Sequence, residues 1–542
     1  MSRKFFISSD PSVLSVCFVR PPTVTSVGAV GQDAVPPLGL AYLAGSLEAE
    51  GIKTSAVDAV GEAVHQYTVL PEYKNALLHG LRTEQIVERI PKNSQIIAVS
   101  CMFSVEWPFV QPVIEAIRAA FPDAFLIAGG EHINACPEFV LDHCPALDVC
   151  ILGEGEETIV DLVKAYRDGR PFTEIAGLCI RHEGTNLRTA KRMRIKDIDS
   201  IPEPHWDIFP LEEYIKNALT HGANLGRCIP ILASRGCPYD CTFCSSPQMW
   251  TRKWVARKPE LVIAEMKKYM QRYNVTNFDF YDLTAIVRKE WILDFCRKLE
   301  EENLHITWQL PSGTRSEAID EEVCPLLYRS GCRVMNYAPE SGSQAELKRI
   351  KKRVELGKML VSMRSARKAG IKIKCNFIFG LPGSTWVDVR ATFIFMARLA
   401  WAGLDDLAAF SYSPYPGSEL FNQLVKEGRI TMNQQYFKDL LAYTDPGNSV
   451  SYNDNFSPKM LSVINMISML WFYSLSWLFR PKRFFALIYA FIVKDTSSKL
   501  TMALSNVQRK SKAANLAGQQ GAGKQTVVIE PMFKPTETSA LK

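Results

Sequence analysis

The sequence has no dense Lys/Arg stripe interleaved with aromatics; 63 basic residues against 57 acidic ones are spread over 542 positions, leaving a net charge of +6. Nucleic acid is therefore not an expected partner. The opening stretch, MSRKFFISSDPSVLSVCFVR, lacks the continuous apolar run and small-residue cleavage site of a secretory signal, which predicts a cytoplasmic protein. A P-loop is missing as well. GQQGAGKQT (518–526) comes close, but Gln525 follows Lys524 where Ser or Thr is needed, and no strand precedes it. Fourteen cysteines are present, yet most stand singly in apolar contexts, such as Cys17 in VLSVCFVR and Cys375 in IKIKCNFIFG. That distribution fits buried free thiols in a reducing compartment better than disulfides. With 47% hydrophobic and 22% charged residues, wholesale disorder is excluded, and the length predicts two or three domains.

What is present begins with a βα series. SVLSVCFV (12–19), KTSAVDA (53–59), SQIIAVSC (94–101), AFLIAGG (124–130) and DVCILGEGEET (148–158) read as strands, with helices over 38–51 and 108–120 between them. This predicts an α/β domain over 12–170 with a doubly wound parallel sheet. Ligands bind such sheets at the carboxyl ends of strands, where Ser100, Gly129, Gly130, Gly153 and Gly155 fall. Glycines there admit a large flat ligand; tight βα turns are the other reading. Residues 171–228, rich in Pro and Asp, read as a connector.

A second series follows over 229–430. Strands at 229–235, 277–282, 305–310, 333–338, 372–380 and 406–412 are separated by helix-length stretches, giving a partial (β/α)6 TIM-like barrel whose site lies in the loops after the strands. The loop after the first strand is SRGCPYDCTFCSS, with Cys237, Cys241 and Cys244 in C-x3-C-x2-C spacing and no fourth cysteine close by. Three thiolates on a [4Fe–4S] cluster leave one iron open to an outside ligand. A structural zinc site needs a second cysteine pair that the chain does not supply. A closed cluster would need Cys228, which precedes the strand and is expected at its opposite end.

RGCPYDCTFC, with Phe243 before the last cysteine, resembles the signature of the radical S-adenosylmethionine (SAM) enzymes. FYDLT, APESGSQAELKRIKKR, FIFGLPGST and SYSPYPGSELF resemble the strand-end motifs of the subgroup with an N-terminal cobalamin-binding domain. PPLGLAYLAGSLEAEG, GGEH and ILGEGEET resemble that domain. The resemblance covers roughly residues 12–430. It implies that Cys237, Cys241 and Cys244 hold a [4Fe–4S] cluster, that SAM completes it, and that electron transfer releases a 5′-deoxyadenosyl radical. It further implies SAM contacts from Phe243, Asp282, Glu340, Ser341, Gly380 and Gly383, and cobalamin contacts from Ser100, Gly129, Gly130, Gly153, Glu154 and Gly155. An electron donor such as a flavodoxin or ferredoxin is implied too. The chain departs from the subgroup at Leu283, where a second acidic residue is common. None of the eight histidines has Asp two residues before it, so cobalamin is expected without a protein imidazole on cobalt; His132 in GGEH reads as a hydrogen-bonding loop residue. Glu340 has an alternative role as N-cap of the following helix, shared with Ser341 or Ser343.

Past the barrel, MLSVINMISMLWFYSLSWLF (460–479) is uncharged for twenty positions and is followed by RPKR and FFALIYAFIV. On a helical projection Ser462, Asn465, Ser468 and Ser476 gather within an arc of roughly 120°, beside Lys459, Arg480 and Arg483. This predicts two apolar helices broken near Pro481 that lie on a membrane surface with their basic groups at the headgroups, within a helical segment over 431–494. A bilayer span and a cap buried on the barrel are the alternatives. The polar end, 495–542, reads as disordered. The expected activity is C-methylation of a lipid-like small molecule, for example a hopanoid, on the inner face of the cytoplasmic membrane. Oxidative cyclisation without methyl transfer and a non-catalytic cobalamin-binding sensor are the competing readings.

Overall fold

The computed structural model describes residues 14–29, 34–73, 75–315, 317–445, 447–493, 499–519 and 525–529. Five parallel strands, Lys53–Asp58, Ser15–Arg20, Ile96–Ser100, Phe125–Gly129 and Val149–Ile151, lie side by side in that order. The strand order reverses between Ser15–Arg20 and Ile96–Ser100, which puts a topological switch point at their carboxyl ends. Their apolar runs are buried on both faces, as βα crossovers require.

The connector reading of 171–228 needs correction. Leu178–His182 and Thr185–Arg188 form an antiparallel hairpin that extends this sheet at one edge. Its turn is Glu183-Gly184, with φ of +49° and +79°. Two left-handed residues make the tight turn that matches strand twist, and Glu is an uncommon first residue there, so the hairpin is easy to overlook in sequence.

Six parallel strands in sequential order build the second domain: Cys228–Ile231, Asn277–Phe280, Thr307–Thr314, Cys332–Glu340, Lys372–Phe379 and Asp406–Ser411. Residues facing the helices pack as a core in which Phe280, Phe295 and Trp308 meet at centroid distances of 5.2 to 5.8 Å. The lower end is plugged by the incoming chain. Gly222 N donates to Asp279 at 2.6 Å, and Ala223 exchanges two 2.8 Å hydrogen bonds with the Gln309 amide. A Cβ on Gly222 would stand 2.2 Å from that amide, so only glycine fits. With the bottom closed, the barrel opens at its carboxyl end.

Helix Pro458–Phe479 lies outside the sixth strand, and helix Pro481–Val493 follows after a break at Arg480. The first is long and apolar enough to cross a membrane, and a third of its most apolar stretch is buried against the barrel. The disordered reading of 495–542 is overturned for its described residues. Helix Lys499–Gln519 buries Ala513 and Ala517 against Tyr67 and Leu77, and Thr526–Val528 pairs with Gln66–Val69 in a second, four-stranded sheet. Lys510 is buried and donates to Ala29 O at 2.6 Å. Alanines at helical spacing supply a contact face that the low aromatic content conceals. Residues 520–524 of the P-loop-like stretch lie outside the described residues; the strand follows that stretch rather than preceding it, contrary to what a P-loop needs.

Candidate active site

The first barrel strand ends at Ile231, and the cysteine loop begins after Ser234–Arg235, a short strand pinned to Val255–Ala256. Gly236 turns the chain at φ +86°, and a Cβ there would lie 2.2 Å from Lys253 O. The loop is then held from two sides: Thr242 N donates to Ile350 O at 3.0 Å, and Leu420 N donates to Thr242 O at 2.9 Å. Cys237, Cys241 and Cys244 are free thiols that retain partial exposure. Burial pushes all three up, while Lys352 and Arg315 act the other way on Cys237 and Cys241 by favouring their thiolates. Among the described residues no three His, Cys, Asp or Glu gather around a single-ion position. Thiolates that grip separate corners of a cubane are not required to do so. Three thiolates are the donor set of a [4Fe–4S] cluster with one open iron, whereas structural zinc requires a fourth protein ligand.

Cys228 opens the first strand at the end away from the loop, buried against Thr220 Oγ1 at 3.3 Å. A four-residue strand separates it from the loop by roughly 10 Å, out of reach of a shared cluster.

The predicted SAM-side residues occupy the rim of the same opening. Phe243 lies beneath the Lys352 ammonium, 5.9 Å from its ring centroid. Glu340 ends the fourth strand at φ +66°, a strained conformation for a side chain of this kind, and its buried carboxylate accepts from Lys352 Nζ at 2.9 Å. Ser343 caps the next helix through a bond from Glu346 N, and Ser341 Oγ donates to Glu346 at 2.6 Å. The cap role thus falls to Ser343, leaving Glu340 facing Lys352. Asp282 accepts from Ala233 N and Ser234 Oγ, tying the ends of the first two strands together; burial pushes its carboxyl up to about 6. Gly380, at φ +80°, packs under Leu461, and a Cβ there would come within 2.7 Å of that side chain. Gly383, at φ +78°, has open space around it.

On the other domain, Ser100 and Gly129 are register partners at the carboxyl edge. Gly129 has no atom nearer than 3.9 Å to a prospective Cβ, whereas a Cβ on Gly130 would meet Cys101 O at 2.3 Å. Gly129 therefore leaves room for a ligand, and Gly130 serves the turn. Gly153 N donates to Asn134 Oδ1 at 2.9 Å, and Gly155 abuts Leu43. Glu154 has a structural role of its own. Its buried carboxylate accepts from Arg194 at 3.2 Å, Arg235 at 3.4 Å and Ile195 N at 2.9 Å. Glu156 joins it on Arg235 at 2.6 Å, so these acids clamp the residue two before Cys237 to the first domain. Ser245, next to Cys244, donates to Glu131 of GGEH. His132 is buried, with its pKa pushed down to about 3, and pairs with Ser104 at 2.9 Å. It is a neutral interior residue.

Sequence reasoning missed four participants: the Arg194 and Arg235 clamp, and the Lys352 and Arg315 cations. RIKKR and SRG stand beside recognised motifs, but a basic residue in sequence does not announce which carboxylate it will meet. It missed Met102 and Phe103 as well, 43% and 56% exposed at the carboxyl edge of the first sheet.

Two domain families match: the B12 binding domain over residues 24–163 and the radical SAM superfamily over 231–396. The chain thus carries a B12-binding domain followed by a radical SAM domain. Its cofactors are accordingly a [4Fe–4S] cluster, SAM and cobalamin, and the sensor reading falls away. The chain is 28% identical to an uncharacterized methyltransferase of Pyrococcus horikoshii over 78% of this chain and 85% of that protein. It is 27% identical to the anaerobic magnesium-protoporphyrin IX monomethyl ester cyclase of Cereibacter sphaeroides, covering 76% of this chain and 64% of the cyclase. To the hopanoid C-3 methylase of Methylococcus capsulatus it is 23% identical, covering 60% and 59%. The fold is that of the radical SAM methyltransferase TsrM from Kitasatospora setae, with a TM-score of 0.59, 18% identity and 76% of each chain covered.

Proposed function

We propose that this enzyme methylates an unactivated carbon of a lipid-like substrate, for example a hopanoid, at the surface of a membrane. The observation behind the lipid reading is that helix Pro458–Phe479 is built inside out. Its polar residues Asn465, Ser468 and Ser476 are buried, while Val463, Met466, Ile467, Leu470, Trp471, Leu478 and Phe479 are exposed. Phe485, Ile488, Tyr489 and Ile492 continue the exposed apolar surface on the next helix. A soluble protein in water orients such a helix the other way, so an apolar medium is the natural counterpart of this face.

Arg480 and Arg483 do not serve the headgroups as the sequence suggested. Arg480 donates to Ala400 O and Trp401 O, and Arg483 bonds Gly403 O and pairs with Asp405 at 2.7 Å. They satisfy the carbonyls at the end of helix Trp386–Ala402. Attachment by apolar insertion should therefore resist salt, and the inward polar face argues against a span. In vesicle flotation the full chain should rise with lipid at both low and high salt and be released by alkaline wash. Ile467→Ser, Leu470→Ser and Leu478→Ser together should leave it at the bottom. A wild-type chain that never floats would remove the membrane reading.

In this account Cys237, Cys241 and Cys244 hold the cluster. Lys352 and Glu340 orient what binds the open iron, and the Ser100–Gly129 edge receives cobalamin. When bound, the cluster with SAM supplies hydrogen abstraction from carbon, and cobalamin supplies the methyl group. The interdomain clamp through Arg235 holds the two cofactor edges together, and the plugged barrel floor keeps water from entering below. Oxidative cyclisation is the second reading, supported by the similarity to the Cereibacter enzyme.

A further inference from the structure

The barrel interior carries a polar rung that none of these roles uses. Cys375 faces the surrounding helices, its sulfur 4.0 Å from Met363, and Phe377 packs on Phe395. Lys374 and Asn376 therefore point inward by strand alternation. Tyr337 bonds Ser362 at 2.9 Å on the outside, which turns Asn336 inward; Asp406 opens the sixth strand and takes a 3.5 Å bond from Tyr473 of the outer helix. Strand register then sets Asn336, Lys374 and Asp406 side by side across three strands. Above this rung the wall is small: Ala408 stands beside Asn376, and Gly313 is so near Ala338 that a Cβ would lie 2.7 Å from it. Higher still, Phe410 stacks on Tyr443 at 5.2 Å, and Tyr443 feels the charges of Glu340 and Cys244. The inward faces of these strands thus lead from the rung toward the carboxyl end that carries the cysteine loop.

Their floor is unsatisfied. Asn336 Oδ1 and Asn376 Oδ1 are buried with no hydrogen-bond partner among the described residues, although Asn336 Nδ2 is anchored on Pro311 O at 3.0 Å. Orphaned acceptors of this kind are rare in native interiors. They call for a donor that arrives from outside. Lys374 adds an amine on the same face, and Asp406 beside it disfavours an anion. A hydroxyl group meets all of these, donating to a carbonyl oxygen and accepting from the amine.

We propose that the barrel lumen binds a hydroxylated head of the substrate, with Lys374, Asn336 and Asn376 as its specificity-determining contacts. This rests on the lipid reading above for the remainder of the molecule. The test is equilibrium binding to cofactor-loaded full-length enzyme, using three probes in mixed micelles: a hopanoid tetrol, the same ring system without its hydroxylated side chain, and free erythritol. The tetrol should bind more than about tenfold tighter than the hydrocarbon, because a site built for hydroxyls rejects the analogue that lacks them. Lys374→Met and Asn376→Leu should each erase that preference, with iron content and cobalamin retention serving as controls for folding. Equal binding of tetrol and hydrocarbon, no binding of any probe, or a preference that survives both substitutions would overturn the proposal. If erythritol binds as tightly as the tetrol and depends on Lys374, the lumen site stands and the lipid reading fails.

Discussion

Glu340 and the three cysteines show how differently residues of one site speak from sequence. The cysteines announce themselves by spacing, because a cluster constrains thiolate geometry over a short loop. Replacing Cys237, Cys241 or Cys244 by Ala should abolish iron binding and the brown absorbance of reconstituted protein, while Cys228→Ala should retain both, measured by iron analysis under anaerobic conditions. Glu340 is legible only as part of a motif; its φ of +66° and its pairing with Lys352 depend on where strands four and five end. Asp282 makes a pH prediction. Burial pushes its carboxyl up to about 6, above the ordinary unfolded value near 3.9. Its contribution to stability is therefore complete below the unfolded pKa and lost as pH rises through about 6, a change of about 3 kcal/mol. Asp282→Asn should gain thermal stability over the wild type at pH 8 and about half of that gain at pH 5, read from the Tm difference at each pH. An equal gain at both would mean that the carboxyl is not held in this state.

At the scale of elements, the strands of both domains were legible because apolar runs of strand length alternate with helical periods. The elements that escaped are those whose pairing is set at long range. The Leu178–Arg188 hairpin depends on a Glu-Gly turn, and Thr526–Val528 finds its partner at Gln66–Val69 across most of the chain. Helix Pro458–Phe479 was legible as amphipathic, but not which face would turn inward. That face is decided by Ser411 and Ser449, whose hydroxyls receive Asn465 Nδ2 at 2.8 and 3.3 Å. Asn465→Leu should therefore lower stability by about 1–2 kcal/mol through the lost bonds, whereas Leu470→Ser on the exposed face should change it by less than about 0.5 kcal/mol in solution. Scanning calorimetry of the two variants in detergent-free buffer separates them. The reverse ranking would contradict an inward polar face. Because the helix caps the sixth strand, these point changes are cleaner probes of membrane attachment than truncation.

At the scale of the whole molecule, two domains present their carboxyl edges to each other, fastened by Arg235 with Glu154 and Glu156 and by Ser245 with Glu131. Domain order and cofactor classes were readable from motifs, yet this fastening was not, since buried ion pairs join residues about eighty positions apart. The C-methylation proposed above would need both cofactor edges beside one substrate carbon, and the fastened domains would hold them there. The measurement that bears on this most directly is anaerobic turnover of the cofactor-loaded enzyme with SAM deuterated in its methyl group and a membrane lipid extract, followed by mass spectrometry. The account predicts a lipid that gains one trideuterated methyl group, with deoxyadenosine formed alongside and both lost when cobalamin is omitted. A product without the label, formed equally well in the absence of cobalamin, would contradict it.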